Sequence, residues 1–236
     1  MRVAKLGGLS VRLSGGDDGS GSGDGPVVVL LHGFGAPGDD LVPLAGALDA
    51  PPGTRFAFPA APTALPGQWG AGRAWWMVDA SRFERVARGD IAGLADEVPP
   101  GLAGAREGVI AMLDALAAEL GVPDERIVLG GFSQGAMLSC DVALRTGRQL
   151  AGLVLMSGTM LCRPEWLALL PRRASLRVFQ SHGTQDPMLP FELARELRDE
   201  MTRAGIPVDW IEFGGGHEIP RQALVGASVF LGRVLG

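Results

Sequence analysis

Ile127-Val-Leu-Gly-Gly-Phe-Ser133-Gln-Gly-Ala-Met-Leu-Ser-Cys-Asp-Val-Ala-Leu144 passes from a short β-branched run, through glycines and a serine, into an apolar repeat of helical period. A short apolar run bounded by glycine reads as a buried strand, and the change of period places a tight strand-to-helix turn at Gly131-Phe-Ser-Gln-Gly135. Reading outward from that turn, strands are predicted at Val27–Leu31, Arg55–Phe58, Arg126–Gly131, Leu150–Met156, Ser175–Ser181 and Val208–Phe213. Helical patterns separate them. Val109, Ile110, Met112, Leu113, Leu116, Ala117 and Leu120 mark one buried helix face, and Leu193, Ala194, Leu197, Met201 and Ala204 mark another after Pro190, with Gly205 as its stop. Short strands alternating with helices specify an α/β class with a mostly parallel central sheet.

The 236 residues suit one domain spanning residues 1–236, which buries roughly 70% of its unfolded surface. Residues 1–13 read as one or two edge strands. Residues 14–25 are pure Gly/Ser/Asp turn composition and read as a flexible surface loop. Asp18 opens something like a calcium loop, but Val29 stands where a bidentate glutamate belongs, so solvated linker is the better reading. Residues 59–105, rich in Pro, Gly and Trp, read as a loop excursion over one end of the sheet, near the active site.

A formal charge of -5 with no basic run excludes a nucleic-acid surface. The longest apolar runs fall far short of the ~20 residues that span a bilayer. The N-terminal Met1-Arg-Val-Ala-Lys-Leu-Gly-Gly8 has neither an apolar core nor a cleavage site of the secretory kind, so the expected compartment is the cytoplasm. Cys140 and Cys162, the two cysteines, are expected to be reduced packing residues rather than disulfide or metal ligands.

A serine at a strand-to-helix turn sits on a strained backbone, and the helix behind it aims amides at developing negative charge. Its hydroxyl is a poor nucleophile until a base takes the proton. Of the three histidines, His32 precedes Ser133, against the expected order of nucleophile, acid, histidine; His182 closes a strand before any acid of its own loop and is expected to hydrogen-bond at the strand end. His217, in Gly214-Gly-Gly-His-Glu-Ile-Pro220, is the expected base. Asp186, in the loop after the preceding strand, is the expected orienting acid, with Glu218 as its rival. The backbone amides of Phe34 and Gln134 are the expected oxyanion donors. The loop holding Phe34 also reads Gly33-Phe-Gly-Ala-Pro-Gly38, which fits the dinucleotide fingerprint. That reading fails because the next strand, Arg55-Phe-Ala-Phe-Pro59, ends without the required carboxylate.

Leu31-His-Gly-Phe-Gly35, Arg73-Ala-Trp-Trp76, Gly131-Phe-Ser-Gln-Gly-Ala136, His182-Gly-Thr-Gln-Asp-Pro-Met-Leu-Pro190 and Gly216-His-Glu-Ile-Pro220 together resemble the phospholipase/carboxylesterase family of α/β-hydrolases, across residues 27–236. The resemblance implies an α/β-hydrolase fold without a large cap domain and a serine hydrolase of carboxylic esters or thioesters working through an acyl-enzyme. No metal or cofactor is implied. It assigns Ser133, Asp186 and His217 to the triad and Phe34 and Gln134 to the oxyanion amides. Trp75 and Leu189 match family positions beside the acyl chain; Trp76, Met160 and Met188, in loops on the same edge, complete the expected substrate-binding set. The expected partner is a small or lipid-like acyl ester. The competing class is a non-catalytic binding protein of the same fold.

Overall fold

The computed structural model describes residues 1–91 and 93–236. Eleven strands are found among these residues: β1 (Arg2–Leu6), β2 (Leu9–Gly16), β3 (Ser20–Ser22), β4 (Val27–Leu31), β5 (Arg55–Ala60), β6 (Thr63–Ala64), β7 (Arg73–Ala74), β8 (Ile127–Phe132), β9 (Gly152–Met156), β10 (Val178–Gly183) and β11 (Val208–Phe213). The helices are α1 (Leu44–Ala47), α2 (Ala80–Ala87), α3 (Leu102–Leu120), α4 (Gln134–Arg145), α5 (Arg163–Leu169), α6 (Phe191–Arg203) and α7 (Arg221–Leu235). The main sheet runs β1-β2-β5-β4-β8-β9-β10-β11, with β3 paired to β2. From β5 to β11 every pairing is parallel, and β1 and β2 extend the sheet antiparallel. Of the two N-terminal strands β2 is therefore interior and β1 an edge, with β11 the edge at the other end of the sheet.

Central strands of a parallel sheet are covered on both faces and so read as unbroken apolar runs, as β4 does. Its side chains still alternate. Val27, Val29 and Leu31 join the larger core cluster, which includes residues of α3, α4, α5 and α6, while Val28 and Leu30 join the cluster that includes Ala227, Phe230 and Leu231 of α7. The longest helix, α3, buries Val109, Met112, Leu113 and Leu116 and stops at Gly121, whose φ of +59° favours glycine.

Residues 14–25 are not loop throughout. Ser14–Gly16 continue β2, and Ser20–Ser22 form β3. A Cβ on Gly16 would lie 2.0 Å from the Ser22 carbonyl oxygen, so the absent side chain is what lets these two backbones pair. The 59–105 excursion likewise carries structure: its first two residues finish β5, and the β6–β7 hairpin and α2 follow. Ala92, within that stretch, lies outside the described residues. Among the described residues no helix is long and apolar enough to cross a membrane.

Behind the strand-to-helix turn, the fully buried Asp141 of α4 ties three helices together. Its Oδ1 accepts from Arg145 Nε at 2.7 Å and from Trp166 Nε1 of α5 at 2.9 Å, and its Oδ2 accepts from Arg106 Nη1 of α3 at 2.7 Å. Removing one partner of such a group strands the others, so Asp141→Ala should cost about 3 kcal/mol. In a chain of this size that is a fall of roughly 6–12 °C in Tm. Calorimetry showing a shift under about 2 °C would contradict the assignment.

Candidate active site

Four loops leave the carboxyl edge of the parallel strands and converge: those after β4, β8, β10 and β11. Between β8 and α4, Ser133 adopts φ 55° and ψ -119°. Its N–H donates to the Met156 carbonyl at 2.9 Å, and its carbonyl accepts from Met137 N at 3.1 Å. A Cβ on Gly131 or Gly135 would stand 2.3 or 2.0 Å from the Leu31 carbonyl oxygen. Glycine is thus required on both sides of the turn.

Ser133 Oγ is 2.8 Å from His217 Nε2, and His217 Nδ1 is 2.6 Å from Asp186 Oδ2. A carboxylate accepts only, so Nδ1 carries the imidazole proton and Nε2 is left to accept from the serine hydroxyl. The other carboxylate oxygen, Oδ1, accepts the Met188 and Leu189 amides at 2.8 and 2.9 Å. Burial pushes the Asp186 carboxyl up, but the hydrogen bond and charge of His217 and the two amides outweigh it and hold the group below the ordinary carboxylate range. Glu218, the rival acid, is exposed; what it contributes is its carbonyl, which accepts from Ser157 Oγ at 3.2 Å. Ser157, itself at φ 50°, also donates its N–H to the Ser181 carbonyl at 2.8 Å, so it moors the His217 loop to β10.

The loop after β4 is shaped by His32. Its Nε2 accepts the Ala61 N–H at 3.0 Å, which puts the proton on Nδ1 and lets that atom donate to the Gly33 carbonyl at 2.8 Å. Burial lowers its basicity and keeps it neutral, the form this pattern needs. The Phe34 N–H enters none of the hydrogen bonds among the described residues. The Gln134 N–H, first in α4, has no intrahelical acceptor. Its side chain does separate work: Oε1 accepts the Trp75 N–H at 2.9 Å and Nε2 donates to the Trp76 carbonyl at 2.8 Å, latching the excursion over the turn.

Ser133, His217, Phe34 and Gln134 open on a cleft of about 880 Å³. Of the residues expected to bind substrate, Trp76, Met188 and Leu189 line it; Trp75 and Met160 do not. Trp75 turns inward and donates Nε1 to the His32 carbonyl at 3.0 Å, and Met160 is fully buried in the core. Sequence reasoning missed Trp69, packed edge-on against Phe34 at 5.3 Å, together with Val98, Pro99 and Leu161. Its one available signal was a tryptophan in a Pro/Gly-rich excursion. Four charged side chains also border the cleft: Asp40, Asp79, Arg82 and Glu97. Arg82 is ion-paired with Glu97, which also accepts from Arg85 Nη1 at 2.8 Å.

Residues 20–235 match a protein family described as phospholipase/carboxylesterase. The chain belongs to this family. Among curated members it is 30% identical over 178 residues to acyl-protein thioesterase 1 of Cryptococcus neoformans, covering 73% of this chain and 71% of that one. It is 31% identical over 191 residues to acyl-protein thioesterase 1 of Mycosarcoma maydis, covering 75% and 77%. Among solved structures, esterase PE8 superposes with a TM-score of 0.80 at 29% identity, covering 97% of this chain and 99% of that one. As a member of the phospholipase/carboxylesterase family, the protein has the α/β-hydrolase fold and is a carboxylic-ester hydrolase.

Proposed function

We propose that this hydrolase cleaves carboxylic esters and thioesters through an acyl-enzyme on Ser133. The observation that carries the reading is the unbroken hydrogen-bond chain Asp186–His217–Ser133 at a strained turn, at the wall of an apolar cleft. As Oγ attacks the acyl carbon, His217 Nε2 takes its proton, and the charge that develops on the carbonyl oxygen meets the Phe34 and Gln134 amides. His217 then returns the proton to the departing alkoxide or thiolate, and water repeats the sequence on the acyl-serine. Asp186 holds the imidazole in the tautomer that leaves Nε2 free. Asp186→Asn should therefore lower kcat by about 10⁴-fold. Glu218→Gln should stay within about twofold of wild type, since Glu218 lends only its backbone. Because Asp186 is held below the ordinary carboxylate range, it stays ionised on mild acidification, so the loss of kcat/KM toward acid should not be set by this carboxylate. Full turnover by Asp186→Asn would contradict the assignment.

Apolar cleft walls suit the acyl chain, with Trp76, Met188 and Leu189 among its contacts. The charges suit only some leaving groups. Among the described residues that line the cleft, Asp40, Asp79 and Glu97 stand against Arg82 alone, and Arg82 is already held by Glu97, so the wall disfavours a phosphate or carboxylate. The preferred substrate is an acyl ester or thioester with a neutral or cationic leaving group. S-octanoyl thioesters of thiocholine, mercaptoethanol and mercaptoacetate test this through salt dependence, which is independent of their intrinsic reactivity. Between roughly 20 and 300 mM salt, kcat/KM should fall about threefold for the cation, rise about threefold for the anion and stay level for the neutral ester. A fall for the anionic ester would reverse the sign of the field.

A further inference from the structure

His182 lies inside β10 with its side chain fully excluded from solvent. Its Nε2 faces two oxygens: the Leu189 carbonyl at 2.9 Å and Asp186 Oδ2 at 3.3 Å. A carbonyl donates nothing, and Asp186 is held ionised, so the proton must sit on Nε2. Burial disfavours a second proton. The Leu189 and Gly158 backbone and the Asp186 charge pull the other way, the His217 imidazole adds to burial, and the net direction is downward, which leaves the ring neutral. Nδ1 is then a bare lone pair that no donor reaches among the described residues; the Gly158 backbone, which favours a protonated ring, only accepts and cannot satisfy it. A buried acceptor left unsatisfied is rare and needs a reason. At a position that merely fills the core, an apolar side chain would avoid the cost.

The reason lies at the other nitrogen. Asp186 Oδ2 is the oxygen that accepts from His217, and Leu189, whose carbonyl accepts from His182, donates its own N–H back to Asp186 Oδ1. One imidazole N–H thus bonds the Leu189 carbonyl, closing the loop that clamps the carboxylate, while the same nitrogen stands 3.3 Å from Asp186 Oδ2. Leu189 is in addition a wall of the cleft. We infer that His182 is a positioning residue: as the neutral Nε2–H tautomer it fixes the orientation and limits the basicity of the Asp186 carboxylate, and holds the Met188–Leu189 wall in register with it. The inference rests on Asp186 being the triad acid.

The sign of the effect follows from the shared oxygen. Without the His182 N–H dipole, Oδ2 is more basic and stabilises protonated His217 more strongly, so the acid limb of the kcat/KM profile moves to higher pH. His182→Leu, with rates normalised to active-site titre, should move that limb up by about half a pH unit. It should also lower kcat about tenfold through the loosened carboxylate. His182→Gln, whose amide can place an N–H where Nε2 stood, should restore the limb. Nitrogen-15 spectra of the wild-type imidazoles provide a reading that needs no variant: at neutral pH His182 should be a neutral Nε2–H ring, while His32 holds its proton on Nδ1. An unmoved limb in His182→Leu, a limb that His182→Gln fails to restore, or a His182 ring that carries its proton on Nδ1 or is protonated on both nitrogens at neutral pH would overturn the inference. If Asp186→Asn is inactive while the His182→Leu limb is unmoved, the triad reading stands and only the role of His182 falls.

Discussion

Ser133 is held at a backbone conformation that costs an L-residue roughly 1–3 kcal/mol, and the surrounding packing must over-determine it for the turn to persist. Its N–H is fixed by the last residue of β9 and its carbonyl by the first turn of α4. Gly131 and Gly135 let the Leu31 carbonyl, at the end of β4, approach to a distance that any Cβ would forbid. Three neighbouring strands and one helix therefore meet at a single residue. Among the described residues two other non-glycine residues have positive φ, Ser157 and Cys162, and both follow β9 near the same edge. The Ser157 amide and hydroxyl moor the loop of His217, and Cys162 donates its N–H to Glu97 at the cleft wall. Strain collected at one edge, with the sheet behind it regular, is the arrangement expected where geometry matters more than stability.

The three histidines divide the electrostatic work by the atoms that face them. His32 carries its proton on Nδ1, because Nε2 accepts from Ala61, and shapes the loop of Phe34. His182 carries it on Nε2, because two oxygens stand there. His217 directs Nδ1 to Asp186 and Nε2 to Ser133. Burial keeps the first two neutral, and for His182 this removes a competing positive charge from beside His217. Only His217 is exposed enough to exchange a proton with what enters the cleft.

Much of this was legible in the sequence because local chemistry announced it. The apolar runs of β4, β8 and β9 and the periodic faces of α3 and α6 come within a few residues of their observed ends. Ser133, Asp186 and His217 stand out by glycine context and chain order, and their side chains meet in the fold. What was hidden depends on direction and on distant packing. A loop position says nothing of which way Trp75 or Met160 turns, and each faces the core. Trp69 reaches the cleft by packing on Phe34 from a segment 35 residues away in sequence. The strand β3 escaped notice because glycines with positive φ carry no apolar pattern, yet they permit backbone pairing that side chains would block. His182 looked like a strand-end hydrogen bonder, and its second contact, to Asp186, required the closed loop to be seen.

One serine hydroxyl, that of Ser133, is expected to be activated where the others are not. Reaction with a fluorophosphonate, followed by proteolysis and peptide mass mapping, reads that directly. A single phosphonyl adduct on the peptide carrying Ser133, abolished in a Ser133→Ala variant that keeps the wild-type Tm, is the predicted result. Adducts that persist on Ser157 or Ser181 in that variant, or a folded wild-type protein that takes no label, would contradict it.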